Sequence, residues 1–476
     1  MATFYVENFG CRATQADGAA IARQFQERGL ERAADAAQAG IVVLNTCTVT
    51  AAADRDARAA VRRIHRKNPQ ARIVVTGCYA QRAAEEIAAL RGVSSVIGNS
   101  HKHQLAEIAL HAVGASVLAG AVPGKTPEHN ALAAFVPVTT LTQAALPPTT
   151  GGQGPIFVSD IFAHTELQAA PVFDASNERT RPNLKVQDGC DNRCSFCVIP
   201  YVRGHSRSLR RAEVIREVRS LVTAGYREVV ISGINLGRWG RDLVGDEPSP
   251  PRFEDLVRAI LHETALQKLR ISSVEPMDWS DDLIHLIANS PRIAKHAHVP
   301  LQSGSDAVLR RMQRKYRPWH YREKIEKIHA AMPTAAIGAD VMAGFPGETD
   351  TEFEETHRLL EDLPCTYLHV FTYSARPGTP AAIMAGQVPN HVARERNRIL
   401  RDLASQKKLA FMQTFVGKRT EAITLHTQAN DHEGKYREGL TDNYLPIRLK
   451  GNLPPNRWIP AKVERVLDGV LIGIAN

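Results

Sequence analysis

Residues 183–200 read NLKVQDGCDNRCSFCVIP, a predicted strand followed at once by Cys190, Cys194 and Cys197 in a C-x3-C-x2-C pattern. Three thiolates this close together in sequence have the spacing to bind one inorganic cluster. On a four-iron cube, three protein ligands leave one iron open for a substrate or cofactor. A structural zinc ion is the alternative, but zinc usually takes a fourth ligand, and His205 is poorly spaced for that role. The stretch therefore predicts a domain that opens with a strand and an iron–sulfur cluster.

Downstream of this stretch, strand and helix patterns alternate six times over residues 181–413. The strand candidates are NLKVQDG, EVVISGI, KLRISSV, AHVPLQ, AIGADVM and YLHVFTYS. Repeats of this kind predict a full or partial parallel (β/α) barrel, whose ligands bind at the carboxyl ends of the strands. Four residues fall at predicted strand ends and are expected to face that mouth: Ser232, Gly233, Glu275 and Gln302.

The first hundred residues also alternate strands and helices, with strand candidates FYVENFG, IVVLNT, RIVVTG and SSVIGN. This pattern predicts a parallel, Rossmann-like sheet. Cys11, Cys47 and Cys78 each end a predicted strand, and such ends lie along one edge of a parallel sheet. We expect the three thiols to converge there and to bind a second cluster. The alternative is that three core cysteines are buried for packing alone.

Two further regions have a different character. Residues 113–170 are rich in Ala, Pro, Thr and Gly, contain PPTTGGQGP, and predict a linker or a partly disordered insertion. Residues 413–476 carry short β patterns separated by Gly, Asn and Asp, which predict a small β-barrel. The expected domains are therefore 1–112, a linker at 113–170, 171–412 and 413–476.

The composition is that of a globular chain of 476 residues with a formal net charge of +9, which permits a polyanionic partner. Neither a signal-peptide pattern nor a run long enough to cross a bilayer is present, so we expect a cytoplasmic protein without membrane attachment. In that compartment seven cysteines favour metal or redox chemistry over a disulfide framework.

Two cysteine triads in this order, followed by a β-rich tail, resemble the radical S-adenosylmethionine (SAM) methylthiotransferases. The resemblance implies an N-terminal methylthiotransferase domain, a radical SAM barrel and a C-terminal TRAM domain, an RNA-binding module. It also implies two 4Fe–4S clusters, the first on Cys11, Cys47 and Cys78 and the second on Cys190, Cys194 and Cys197. In such enzymes the first cluster delivers sulfur, and the second binds SAM and generates a 5′-deoxyadenosyl radical.

The same resemblance bears on the cofactor contacts. In the superfamily the turn that corresponds to Ser232 and Gly233 approaches the methionine end of SAM, and Glu275 and Gln302 are further candidates. The family usually has Asn where this chain has Thr14, which we expect to cap the following helix.

Within the family, several segments are most similar to the branch that modifies N6-threonylcarbamoyladenosine at tRNA position 37 (MtaB-type). These segments are NTCTVTAAADRDARAAVRRI, VVTGCYAQ, HAHVPLQSGSDAVLRRMQRKY, GADVMAGFPGETDTEF and HVFTYSARPGTPAA. Other branches act on isopentenyladenosine in tRNA or on a ribosomal-protein aspartate. An iron–sulfur RNA-binding sensor without enzymatic activity is an alternative from another class.

The implied partners are the tRNA anticodon loop and a reductant such as flavodoxin or ferredoxin. Residues 309–324, LRRMQRKYRPWHYREK, mix basic and aromatic side chains, which can contact phosphates and stack on bases. We therefore expect this segment to contribute to RNA binding.

Overall fold

A computed structural model describes residues 2–118, 154–164, 167, 180–243, 250–431 and 434–475. The chain divides into two compact units. Unit 1 comprises Met1–Gln168 together with Val198–Gly204, and unit 2 comprises Ala169–Cys197 together with His205–Asn476. Among the described residues, no helix combines the length and the apolar character needed to cross a membrane.

Unit 1 is built on a six-stranded parallel sheet with strand order β2-β1-β3-β4-β5-β6. Its strands are β1 (Thr3–Asn8), β2 (Glu31–Arg32), β3 (Ile41–Thr46), β4 (Arg72–Gly77), β5 (Val93–Ile97) and β6 (Ile156–Phe157). Its helices are α1 (Arg12–Gln26), α2 (Ala51–Lys67), α3 (Cys78–Arg82), α4 (Ala84–Ala88), α5 (Leu105–Leu118) and α6 (Ile199–Arg203). The predicted parallel sheet is thereby confirmed.

The central strand β3 is buried along its whole length, because helices cover both faces of the sheet. One core cluster packs α2 against β3 and β4, and another packs α1 and α5 on the opposite face. Thr50 accepts a hydrogen bond from the backbone N–H of Ala53 and so caps α2.

The segment predicted as a linker differs from that prediction in two places. Helix α5 runs through residue 112 to Leu118, and Ile156 and Phe157 add an edge strand beside β5. The reason is local, since two adjacent apolar residues pair with Val96 and Ile97 and so extend the sheet. Residues 119–153, 165–166 and 168–170 of the predicted linker lie outside the described residues.

Unit 2 contains a partial (β/α) barrel, as the sequence predicted. Its strands are β7 (Asn183–Lys185), β8 (Gln187–Asp188), β9 (Arg207–Ser208), β10 (Glu228–Ser232), β11 (Lys268–Ile271), β12 (His296–His298), β13 (Ala336–Ala343) and β14 (Tyr367–Thr372). Parallel pairing gives two sheets, β11-β10-β7 and β12-β13-β14, and bridges at Leu269–Ile293 and Ser273–His298 join them. A separate antiparallel pair is formed by β8 and β9.

Seven helices accompany these strands in the described part of unit 2. They are α7 (Arg211–Thr223), α8 (Phe253–Glu263), α9 (Asp281–Asn289), α10 (Asp306–Arg311), α11 (Pro318–Ala331), α12 (Asp350–Asp362) and α13 (Asn390–Gln413). Thr349 and Glu352 form a reciprocal capping box that starts α12.

The C-terminal segment forms a closed five-stranded barrel, which confirms the predicted β tail. Its strands are β15 (Arg419–Asp431), β16 (Gly434–Thr441), β17 (Pro446–Lys450), β18 (Trp458–Leu467) and β19 (Val470–Ala475), in the order β15-β16-β17-β19-β18. This barrel contacts residues at the amino-terminal ends of the partial barrel's strands. Arg270 donates to the carbonyl of Asp442 over 3.1 Å, and Asn443 donates to the carbonyl of Thr334 over 2.9 Å.

Candidate functional site

The first cysteine triad lies at one edge of the unit 1 sheet. Cys11 is the N-cap residue of α1 shortly after β1, Cys47 directly follows β3, and Cys78 is the first residue of α3 directly after β4. Strands β1, β3 and β4 are consecutive neighbours in the sheet. Their carboxyl ends therefore bring three thiols that are far apart in sequence to one place.

Burial and neighbouring groups perturb the Cys47 thiol. Burial raises the pKa of the Cys47 thiol to about 12, and the neighbouring Cys78 and Cys11 act in the same direction. Gly10 has φ +103°, and a Cβ at that position would lie 2.9 Å from the Cys47 Sγ. Cys47 and Cys78 are buried, whereas Cys11 is exposed. A bound metal would supply the positive charge that favours the thiolate form of the buried pair.

Polar groups of unit 1 contact the sulfur atoms of this triad. Asn99 Nδ2 lies 3.6 Å from the Cys78 Sγ and donates to the carbonyl of Val202 over 2.7 Å. Thr14 Oγ1 lies 3.5 Å from the Cys11 Sγ. The predicted capping role of Thr14 is wrong, because Cys11 occupies the N-cap position and Thr14 is already inside the helix.

A buried ion-pair network belongs to the same unit. Asp17 lies 2.9 Å from both the Arg203 guanidinium and the Lys102 ammonium group. Arg203 also lowers the pKa of Cys47, against the larger effect of burial, and so favours the thiolate there. The local sequence around Asp17 does not predict this network.

The second triad follows β8, as the sequence predicted. The Cys190 Sγ accepts from the Asn192 backbone N–H over 3.4 Å and lies 3.8 Å from Asn235 Nδ2. Burial raises the pKa of the Cys190 thiol, against the effect of these donors. Hydrogen bonds to cluster sulfurs are a principal means by which a protein tunes an iron–sulfur centre.

The number of thiols in each triad argues against the zinc alternative. A structural zinc ion usually takes four protein ligands, whereas each triad offers three cysteines. Three thiolates suit a four-iron cluster that keeps one iron open.

Arg314 connects the second triad to Glu275. Its guanidinium donates to the Cys194 Sγ over 3.2 Å, pairs with Glu275 through another nitrogen, and donates to the Tyr316 hydroxyl over 3.1 Å. Tyr316 in turn donates to the carbonyl of Leu301 over 2.6 Å. Sequence reasoning assigned Arg314 to RNA binding and Glu275 to the cofactor, whereas the structure pairs them with each other.

Two of the other predicted cofactor contacts present unsatisfied polar atoms. Ser232 Oγ and Gln302 Oε1 are buried at the carboxyl ends of β10 and β12 and have no hydrogen-bond partner among the described residues. Gln302 also has φ +68°, which is unusual for a residue with a side chain. Gly233 packs closely, since a Cβ there would lie 2.9 Å from the Gln187 side chain. Buried unpaired polar atoms at a barrel mouth are typical of a ligand site.

Much of the basic and aromatic segment 309–324 makes contacts within unit 2. Tyr316 and Tyr321 are fully buried. All five of its arginines are ion-paired: Arg310 and Arg317 with Asp306, Arg311 with Glu352, Arg314 with Glu275, and Arg322 with Asp362. Trp319 remains 56% exposed. The contribution of this segment to RNA binding stays a prediction, for which Trp319 is the exposed aromatic side chain.

Two protein families match this chain, and each match covers one cysteine triad. Residues 184–360 match the radical SAM superfamily, and residues 3–98 match the uncharacterized protein family UPF0004. The first range contains the second cysteine triad, and the other contains the first triad.

Curated relatives cover nearly the whole chain. The threonylcarbamoyladenosine tRNA methylthiotransferase MtaB of Bacillus subtilis is 34% identical over 95% of this chain and 91% of its own length. The MtaB protein of Aquifex aeolicus is 32% identical over 94% of this chain and 96% of its own. A tRNA-2-methylthio-N(6)-dimethylallyladenosine synthase of Novosphingobium aromaticivorans is 33% identical over 91% of this chain and 88% of its own.

Among solved structures, the radical SAM methyltransferase TsrM from Kitasatospora setae is similar in fold. It superposes with a TM-score of 0.54 at 16% identity, covering 80% of this chain and 75% of TsrM. At this identity the likeness concerns the fold alone.

Proposed function

Since the chain belongs to the family of radical SAM tRNA methylthiotransferases, we propose that it converts N6-threonylcarbamoyladenosine at position 37 of tRNA to its 2-methylthio derivative. The observation that carries the proposal is the presence of two separate cysteine triads, each at the carboxyl ends of parallel strands. The substrate is supported by relatives that bear the MtaB name over more than nine-tenths of this chain.

Members of this family use two 4Fe–4S clusters and SAM. We propose that Cys190, Cys194 and Cys197 hold the cluster that binds SAM, and that Cys11, Cys47 and Cys78 hold the other. When bound, these groups supply the radical and the sulfur-transfer chemistry of the family. Ser232 Oγ and Gln302 Oε1, buried and unpaired at strand ends, are positioned to satisfy polar groups of SAM. Close packing against Gln187 makes Gly233 a backbone contact rather than a side-chain one.

The role of Arg314 in this site is to hold the cluster loop. Its charged N–H group contacts the Cys194 Sγ, and Glu275 neutralises the guanidinium in a buried environment. Burial raises the pKa of Glu275, whereas Arg314 opposes that effect and favours the carboxylate. Glu275 thus acts through Arg314, and a direct contact with SAM is not needed to explain its position.

For its partners, we propose that the enzyme binds the anticodon loop of tRNA and receives electrons from a flavodoxin or ferredoxin. The anticodon loop contains position 37, so the proposed substrate requires this part of the tRNA. Trp319, which is exposed next to a basic stretch, offers a side chain on which an unpaired base can stack.

Mass spectrometry of tRNA nucleosides from cells with and without the gene tests the proposal. We expect specific loss of 2-methylthio-N6-threonylcarbamoyladenosine and accumulation of its precursor without the methylthio group. The lost nucleoside should return with the intact gene and not with a Cys194→Ala variant, which serves as the matched control.

The isopentenyl branch is the second candidate, because a dimethylallyladenosine synthase is 33% identical over 91% of the chain. Loss of the methylthio derivative of isopentenyladenosine in the same experiment would keep the family and replace the proposed substrate. Unchanged levels of every methylthio nucleoside would overturn both tRNA assignments and favour a protein substrate.

A further inference from the structure

A cluster of polar and aromatic side chains outside both cysteine triads lies inside the partial barrel. Tyr444 of the C-terminal barrel contacts His296 of β12, with ring centroids 4.9 Å apart, and lies 5.3 Å from the Arg270 guanidinium of β11. The His296 Nε2 lies 2.7 Å from the Tyr367 hydroxyl of β14. Side chains from β11, β12 and β14 therefore share one face of the strands, which is the concave interior.

Successive side chains on a strand alternate between faces, so residues two positions further along share the interior face. His298 follows His296 by two residues on β12, and His369 follows Tyr367 by two on β14. Both histidines meet Asp340 of β13, the strand between them. This layer lies one step closer than Tyr444 to the carboxyl ends of the strands, where ligands of such barrels bind.

The distances among His298, Asp340 and His369 match those between ligands of one metal ion. His298 Nε2 and His369 Nδ1 each lie 3.3 Å from Asp340 Oδ1, and the three atoms all lie within 4.8 Å of one another. Metal–nitrogen and metal–oxygen bonds of about 2.0–2.2 Å place neighbouring ligand atoms about 2.9–3.4 Å apart in octahedral or tetrahedral geometry. The distance of 3.3 Å from each histidine nitrogen to Asp340 Oδ1 falls in that interval.

The hydrogen bonding of His298 is a second, independent indication. The residue is only 8% exposed, and its Nε2 has no hydrogen-bond partner among the described residues despite its distance from Asp340. Its other ring nitrogen, Nδ1, lies 3.0 Å from the Ser273 hydroxyl. A metal-binding imidazole is commonly oriented in this way by a polar partner on its second nitrogen.

Asp340 lies on β13, between the strands that carry the two histidines. The backbone around Asp340 is rigid, since its carbonyl accepts from the N–H groups of Leu301 and Gln302 over 3.1 and 2.8 Å.

We propose that His298, Asp340 and His369 bind one divalent transition-metal ion such as Zn²⁺, separate from the two cysteine triads. Two imidazole nitrogens and one carboxylate oxygen are a donor set that favours these metals over Mg²⁺ or Ca²⁺. Three protein ligands leave at least one coordination position for water or for an oxygen of a substrate. His369 is the most exposed of the three, with 62% of its side chain accessible to solvent. Water or a substrate can therefore reach the open coordination position.

Metal analysis of the cluster-loaded, full-length enzyme tests this site without an activity measurement. The anaerobic enzyme is equilibrated with Zn²⁺, passed through a desalting column, and analysed for zinc and iron per chain. The variants are His369→Ala and Asp340→Asn, and the matched control is His329→Ala, which removes an exposed histidine from α11. Iron content reports that both clusters, and hence the fold, are retained in each variant.

We expect about one zinc per chain in the wild type and in His329→Ala, with iron unchanged throughout. Removal of one of three ligands should weaken zinc binding at least about 100-fold, so His369→Ala and Asp340→Asn should retain little zinc. Absence of zinc from the wild type, or equal zinc in all four proteins, would overturn the proposal. Because the readout is metal content, the result is independent of which nucleoside the enzyme modifies.

Discussion

The two cysteine triads reach the same kind of site by different routes. Cys190, Cys194 and Cys197 lie within eight residues, so one loop after β8 determines their arrangement. Cys11, Cys47 and Cys78 span 68 positions and meet only because β1, β3 and β4 are neighbours in one sheet. A local motif thus needs only the correct loop, whereas the scattered triad depends on the folding of the whole sheet.

The largest expected effect is the loss of SAM cleavage in Cys194→Ala, which distinguishes the roles of the two triads. Cys194→Ala should abolish formation of 5′-deoxyadenosine from SAM, because the compact triad is proposed to hold the SAM-binding cluster. Binding of tRNA should stay close to the wild-type level. The measurement is chromatography of the reductively treated enzyme with SAM, alongside a gel-shift assay with tRNA. Continued cleavage of SAM would show that the radical cluster is elsewhere.

Cys47→Ala should give the opposite pattern. Iron should fall from about eight to about four per chain, and 5′-deoxyadenosine should still form while methylthio nucleoside is lost. Iron analysis and nucleoside mass spectrometry on one preparation provide both values. If this variant also fails to cleave SAM while its folded content is unchanged by circular dichroism, the two triads do not act independently.

Arg314 shows that a residue distant in sequence also contributes to the site of the compact triad, Cys190, Cys194 and Cys197. Arg314→Met removes a charged hydrogen bond to the Cys194 Sγ and the ion pair with Glu275. We expect a more negative midpoint potential of the SAM-binding cluster and about 10- to 100-fold slower cleavage of SAM. A redox titration followed by electron paramagnetic resonance measures the potential.

Two further variants distinguish positioning from simple packing. Arg314→Lys keeps the positive charge and should recover part of the potential, whereas Arg310→Met removes only an exposed ion pair and should change neither value. Identical potentials in Arg314→Met and the wild type would remove Arg314 from the cluster's environment.

The smallest effect is expected at the scattered triad. Thr14→Val removes the contact of a hydroxyl with the Cys11 Sγ but leaves the N-cap of α1 unchanged. Because a single neutral hydrogen bond contributes about 1 kcal/mol, we expect the melting temperature and the iron content to shift only slightly. Thermal unfolding and iron analysis test this, and loss of half the iron would assign Thr14 a direct part in cluster binding.

The strands could be predicted from short apolar runs and β patterns, and all six predicted barrel strands are present. The edge strand β6 was missed because two residues, Ile156 and Phe157, carry too little periodicity to be recognised. The ion-pair partners of the basic segment 309–324 could not be predicted, because charge in a sequence does not reveal its partners. Arg311, for example, pairs with Glu352, which is 41 positions away.

The amino-acid sequence by itself determined the cysteine triads, the parallel α/β architecture and the small C-terminal barrel, because spacing and periodicity are local properties of the chain. Only the tertiary structure decided the pairing of Arg314 with Glu275, the buried charges around Asp17, and the meeting of His298, Asp340 and His369. Each of these depends on which strands become neighbours and which faces turn inward. Those are properties of packing, and they place residues within 3.3 Å of one another that are up to 186 positions apart.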